Sequence, residues 1–315
     1  MTLQEQIREN QRRTVLVLAL YALLVAAVAG VIELVWRNVD VLLAFGLLAI
    51  GYGVVGWWSA GRVIAAATGA HPADGDAYRS ARRALDTVAI AAGLPVTPPL
   101  YVVDDPAPNA FAAGRDASST YVAATTGLLA LMPSRELEAV FAHEISHVRN
   151  RDVRLMSLAA VLVGVIALVC DLLLRLTLFG AGGRGRRDNG LAVFAMLATA
   201  VLAPLAALLL QLALSRRREY QADASAAAIT GDAEGMALAL DLLRRDTRAT
   251  RRVSTATAHL FIESPIRQEA RRRPGASLFD THPPLADRIA RLEQAGGFRL
   301  AGTTQRRAPG DPVLG

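Results

Sequence analysis

"AVFAHEISHVRNRD", residues 139–152, sets two histidines four apart with a glutamate directly after the first. On an α-helix, positions i and i+4 share one face. His143 and His147 can therefore bring both imidazoles to a single ion while Glu144 stands beside them. This is the H-E-x-x-H arrangement of zinc peptidases. Zinc suits it: the ion accepts imidazole and carboxylate in a tetrahedral shell and leaves a position open for water. It lowers the pKa of that water to about 7, and Glu144 can take the proton as the water attacks a carbonyl. The plainer alternative is two polar residues on an ordinary helix, and the stretch alone does not separate the two. Ser134 is the predicted N-cap, with Glu136 and Glu138 in the first turn of a helix through His147.

A catalytic site of this kind needs one more protein ligand. The downstream candidates are His259, His282, Glu219, Glu234, Glu263 and Glu269. Glu219 stands out by context. It opens "EYQADASAAA" with Asp223 four residues on, so one helix face can offer a ligand carboxylate and a second carboxylate that orients a ligand histidine. The competing reading is that Glu219 pairs with the neighbouring arginines.

The 315 residues are 53% hydrophobic with a mean hydropathy of +0.32, high for a soluble domain. The net charge is +6 and there is no lysine, so every basic residue is arginine. Aromatics make up 5%, and no basic cluster interleaved with aromatics occurs, which argues against nucleic-acid binding. The single Cys170 excludes an intrachain disulfide. The apolar residues are concentrated. Residues 14–32 and 41–58 carry no charge, residues 155–179 carry only Asp171 and Arg175, and residues 191–214 carry none. Each run is near or above the roughly 18 to 20 residues that cross a bilayer. A cleaved signal peptide is the alternative for the first run, but a second apolar run follows at once, which favours a retained hairpin. Asp171 and Arg175 can pair at i, i+4 inside the third run.

The expected organisation follows. Residues 1–60 form an N-terminal transmembrane hairpin, 61–154 the first part of a catalytic domain, and 155–214 a second hydrophobic hairpin. Residues 215–296 form the second catalytic part, and 297–315 a disordered tail. Within them, 78–92 reads as an amphipathic helix stopped by Gly93 and Pro95. Residues 100–104, 109–113 and 121–125 read as short strands. Helices are predicted from 215 to Ile229, from Asp232 to Arg244 after a break at Gly231, and from Leu285 to Gln294. Residues 245–276 have no assigned role. His71 and His259 read as solvated or structural. The predicted fold class is mainly α: a membrane protein of about four hydrophobic helices with a zincin-like cytoplasmic domain carrying a small β element.

"HEISHVRNRD" (143–152), "SRRREYQAD" (215–223), "LFDTHPPLADRIARL" (278–292) and "PNAFAAG" (108–114), in register over nearly the whole chain, resemble the HtpX-type membrane zinc endopeptidases, bacterial relatives of the CAAX prenyl proteases. The resemblance implies a gluzincin, with His143, His147 and Glu219 as ligands to one Zn2+ and Glu144 as general base. It implies a structural part for Asn150 and Asp152 in the extension of the zinc helix, and work in membrane-protein quality control under stress. His143, His147 and Glu219 can meet on one side of the membrane only if two spans or none lie between them, which puts the site close to the membrane surface.

Arg8, Arg12, Arg13 and Arg62 against Arg37, and six arginines against three around the second hairpin, place the catalytic side in the cytoplasm. The expected location is therefore the cell (inner) membrane, multi-pass. Asn109, Ala110, Phe111 and Ala112 suit an edge strand to which an extended substrate adds. His282 and Arg288 are expected near the metal, His282 as oxyanion stabiliser and Arg288 orienting a ligand or substrate carbonyl. The expected partners are protein or peptide substrates and the lipid bilayer. A dedicated prenyl-protein protease and an inactive membrane scaffold of the same fold are the rival readings.

Overall fold

The computed structural model describes residues 3–36, 39–116, 118–164, 166, 216–248 and 283–300. Two long helices come first, α1 (Leu3–Trp36) and α2 (Val39–Thr68). A mixed sheet and its covering helices follow. The strands are β1 (His71–Pro72), β2 (Leu100–Val103), β3 (Ala110–Ala113) and β4 (Tyr121–Thr125), in spatial order β1-β2-β4-β3. β2 and β4 run parallel, while β1 and β3 are antiparallel to their neighbours. β3 is thus one edge of the sheet.

The helices are α3 (Arg79–Ala91), α4 (Thr126–Leu131), α5 (Ser134–Arg149), α6 (Arg216–Thr230), α7 (Ala233–Arg245) and α8 (Leu285–Gly296). A further helical run covers residues 152–164. The described chain is mainly α with a small sheet, as the sequence predicts.

Side-chain alternation decides what covers each face of the sheet. Val102, Ala110, Ala112, Val122 and Ala124 point to one side, into a core with α3, α5, α7 and α8. Val103, Phe111, Ala113, Tyr121 and Ala123 point to the other, against Ile64 near the end of α2 and Met156 and Ala160 of the run from 152. The Tyr121 hydroxyl donates to the Gly61 carbonyl at 3.1 Å. In α3 the buried positions Ala81, Ala84, Leu85, Val88 and Ala89 follow the helical spacing, and Gly93 ends it at φ +70°. Asp232 caps α7 by accepting from the Gly235 N–H, and Arg135 at the start of α5 forks onto Asp232 at 2.6 and 2.8 Å.

Ser134 is not the cap of α5. The N-cap is Pro133, in an extended conformation, and Ser134 is already helical. Proline fits there because the first-turn N–H it lacks would have no intrahelical acceptor. His71 lies exposed in β1, where its backbone pairs with Val102. Among the described residues one segment, Gly46–Thr68, is long and apolar enough to cross a membrane. Most of the third run and all of the fourth, Asp171 and Arg175, residues 249–282 and the tail from 301 lie outside the described residues. The first turns of the third run are buried, with Leu155, Leu158, Ala159 and Leu162 packed inside the protein.

Gly127 holds the loop that leads into β3. Its N–H donates to the Asp105 carbonyl at 2.9 Å, and a Cβ there would lie 2.0 Å from the Pro106 carbonyl oxygen. Backbone cannot yield as a flexible side chain does. Gly127→Ala is therefore expected to cost about 1–3 kcal/mol, read as a lowered thermal unfolding midpoint, and an unchanged midpoint would contradict the packing.

Candidate metal centre

α5 is buried along almost its whole length after the first turn, from Ala139 to Val148. α6 crosses it. The crossing brings Glu219 over the two histidines: Glu219 Oε2 lies 3.7 Å from His143 Nε2, and Oε1 lies 3.7 Å from His147 Nε2. The two Nε2 atoms are 3.3 Å apart, with the rings nearly perpendicular at 86°. One ligand atom from each of the three residues falls within 4.8 Å of the others.

Each imidazole is held from behind. His143 Nδ1 lies 3.0 Å from Asp223 Oδ1, and His147 Nδ1 lies 3.0 Å from Asp152 Oδ2. A carboxylate on Nδ1 keeps the proton there and turns the Nε2 lone pair toward the other ring. Arg288 of α8, fully buried at 0% exposure, forks onto Asp223 through Nε at 2.8 Å and Nη2 at 2.5 Å. Its Nη2 lies 3.4 Å from His143 Nδ1 and its Nη1 3.7 Å from Glu219 Oε2. Glu144, one position past His143, is buried and accepts from the Ala112 backbone N–H of the edge strand β3. Asn109, Ala110 and Phe111, also of that stretch, are buried. Asn150 closes α5, with its backbone N–H on the Ser146 carbonyl.

The donor chemistry fits zinc. Four carboxylates, Glu144, Asp152, Glu219 and Asp223, are buried around the histidines, against the guanidiniums of Arg288 and the half-buried Arg218. Two negative charges are left over, the charge of one divalent cation. Proton affinities point the same way. Burial pushes the Glu144 carboxyl up to about 7, with Glu219 adding to the rise and His147 and Arg288 opposing it. Burial alone would push His147 down, but Asp152, Glu219 and Glu144 outweigh it and carry the imidazole up to about 9. For His143, burial prevails, helped by Arg288, and holds the ring below its ordinary value despite Asp223.

A buried His-His-Glu donor set with a carboxylate behind each histidine and a glutamate next to the first defines a zinc metalloprotease. Residues 78–295 match the model of peptidase family M48. The chain is 37% identical over 300 residues to the protease HtpX homolog of Caldanaerobacter subterraneus subsp. tengcongensis, covering 93% of this chain and 97% of that one. It is 39% identical to the protease HtpX homolog of Thermoanaerobacter pseudethanolicus, with the same coverage. Against that of Listeria monocytogenes serotype 4a it is 38% identical over 307 residues, covering 92% and 98%. The chain belongs to peptidase family M48, as an HtpX-type protease.

Of the residues singled out in the sequence, His143, Glu144, His147, Glu219, Asp223, Asp152 and Arg288 come together. His282 and His259 lie outside the described residues. Two contributors escaped notice. Asn10 of α1 donates to Asp152 Oδ1, and Arg218 Nη1 donates to Asn10 Oδ1 at 3.3 Å. In the sequence Asn10 is only a polar residue four before a charge-free run, and Arg218 is one arginine of three in a row.

Zinc binds neutral imidazole, so the raised His147 affinity sets a pH dependence. Below about 9 a proton competes for His147. Between pH 7 and 9, zinc affinity measured by chelator competition should rise about tenfold per pH unit, with about one proton released per ion. A flat profile over that range would contradict the protonation state of His147.

Proposed function

We propose that this protease is a multi-pass membrane endopeptidase that hydrolyses misfolded or membrane-associated polypeptides, with Glu144 as general base and its catalytic side in the cytoplasm. The observation that carries the chemistry is the position of Glu144. It is buried beside the His-His-Glu set and hydrogen-bonded at Ala112 to β3, the outer strand of the sheet among the described residues. His143, His147 and Glu219 would hold the ion. When bound, zinc supplies Lewis acidity, polarising the scissile carbonyl and making water more acidic. A carboxyl with an affinity near neutrality, as for Glu144, can take a proton from the attacking water and return it to the leaving amine.

Asp152 and Asp223 hold the imidazole orientation. Arg288 fixes Asp223 and lies against Glu219, and so orients the ligands. Asn150 ends the zinc helix. His282, six residues before Arg288, is assigned as oxyanion stabiliser by that spacing and by the resemblance.

The stretch of Asn109, Ala110, Phe111 and Ala112 serves as the substrate-binding strand. It is the sheet edge next to Glu144, so an extended polypeptide adding there would present its main chain to the base. Main-chain pairing tolerates varied side chains, which suits quality control of unrelated proteins.

Membrane residence is supported by α1 and α2. Val15, Leu16, Leu18 and Leu23 are exposed on the first, and Leu47, Leu48, Ile50, Val54, Val55 and Trp58 on the second. Trp57 and Trp58 each lie under a guanidinium, Arg154 at 4.2 Å and Arg115 at 4.0 Å, as amphipathic rings do at a membrane boundary. The arginine asymmetry supports the cytoplasmic side. The second hydrophobic hairpin, 155–214, completes the four-helix architecture in this reading.

Glu144→Gln should keep zinc and lower kcat by about 10²–10⁴-fold, measured on casein alongside metal content, whereas Glu219→Ala should lose both. Near-normal proteolysis by the first variant, or full metal occupancy in the second, would overturn the respective role. Ala112→Pro removes the N–H that Glu144 accepts. It should cut kcat/KM with zinc retained, and unchanged kinetics in a folded variant would remove β3 from substrate binding.

A further inference from the structure

The match to family M48 begins at residue 78, yet one side chain that builds the metal centre lies far before it. Asn10, on the third turn of α1, is buried. Its amide has a partner for every role it can play. Nδ2 donates to Asp152 Oδ1 and, at 3.1 Å, to the Asn150 carbonyl, while Oδ1 accepts from Arg218 Nη1 at 3.3 Å. Asp152 uses its other oxygen on His147 Nδ1. Arg218 directly precedes Glu219. One amide thus touches the carboxylate behind one zinc-ligand histidine, the residue that ends the zinc helix, and the neighbour of the third ligand.

Packing alone does not call for asparagine here. Val17 and Leu24, one and two heptads further along α1, are buried and apolar, as a helix needs merely to adhere to its neighbours. An apolar residue at position 10 would strip a donor from a buried carboxylate and from a buried carbonyl, and aspartate would set a like charge against Asp152. Only an amide supplies two donors and one acceptor.

We propose that Asn10 is a positioning residue of the zinc centre. Through Asp152 it fixes the imidazole of His147, and through Arg218 it holds the helix that carries Glu219. The first membrane-flanking helix is therefore part of the metal site, and zinc retention depends on where α1 sits. The inference rests on the zinc reading of His143, His147 and Glu219.

The test uses the full chain in detergent. Zinc affinity and zinc release rate are measured against a chromophoric chelator for the wild type and for Asn10→Ala, Asn10→Leu, Val17→Ala, Asp152→Asn and the Asn10→Ala/Asp152→Asn double variant. The metal-free thermal midpoint is recorded for each. Removing a partner that orients a ligand histidine typically weakens metal binding by about 10–100-fold, and Asn10→Ala and Asn10→Leu should fall in that range. Asn10→Leu keeps the packing volume and decides the matter if the alanine variant is unfolded. Val17→Ala should lower the thermal midpoint while leaving zinc affinity within about twofold, because it disturbs α1 without touching the network. In the Asp152→Asn background Asn10→Ala should add little, the mark of a shared path.

Zinc binding within twofold of wild type in Asn10→Leu would overturn the proposal. So would a Val17→Ala defect in zinc affinity equal to that of Asn10→Ala, or fully multiplicative losses in the double variant. A wild-type protein that does not bind zinc at all would instead sink the zinc reading itself.

Discussion

A carboxylate set against the far nitrogen of each ligand histidine, Asp152 behind His147 and Asp223 behind His143, both at 3.0 Å, governs how the rest of the molecule is arranged. Each pair fixes a tautomer and aims a lone pair, which makes two imidazoles one turn apart into two ligands rather than two repelling rings. The cost lies in desolvation. Both carboxylates are almost fully buried, and a buried charge without partners is strongly destabilising. The fold must therefore deliver donors to places the zinc helix cannot reach by itself. α8 brings Arg288 to Asp223, and α1 brings Asn10 to Asp152. Two helices at opposite ends of the described chain thus answer this one requirement.

Burial of α5 has a second consequence. A helix buried on all sides from Ala139 to Val148 cannot be a surface helix of two-faced character, and its polar residues must be satisfied internally. Glu144 shows how. It accepts the Ala112 N–H, a main-chain donor from the outer strand of the sheet. Burial outweighs the lowering by the nearby His147 and Arg288 and by that N–H, so the carboxyl stays near 7.

Much of this was legible in sequence because it depends on short spacings. His143, Glu144 and His147 are fixed by one helical turn, and so are Glu219 and Asp223. The strands β2, β3 and β4 lie within a residue of where alternation and turn residues put them. What was not legible is what depends on long-range closure. Asn10 and Asp152 are 142 positions apart, and nothing local to either announces the other. β1 is two residues long, too short for any periodicity. At α5 the local signal, serine before acidic residues, points to Ser134 as the cap. The chain instead enters from an extended Pro133, whose missing N–H costs the helix nothing.

The absence of lysine separates positions where arginine is interchangeable from positions where it is not. Arg216 and Arg217 are exposed at the start of α6, and an ammonium there would serve equally as surface charge. Arg288 is different. Its Nε and Nη2 engage both oxygens of Asp223 while Nη1 reaches toward Glu219, a planar three-way contact that a single ammonium cannot reproduce. With lysine, one buried carboxylate oxygen would lose its donor, and the carboxylate behind His143 would be free to turn. Arg115 and Arg154, laid over Trp58 and Trp57, use the flat face of the guanidinium in the same sense. On the open surface, then, nothing in the structure requires arginine over lysine. At the metal centre and beside the tryptophans the shape of the group, and not its charge alone, is what the structure uses.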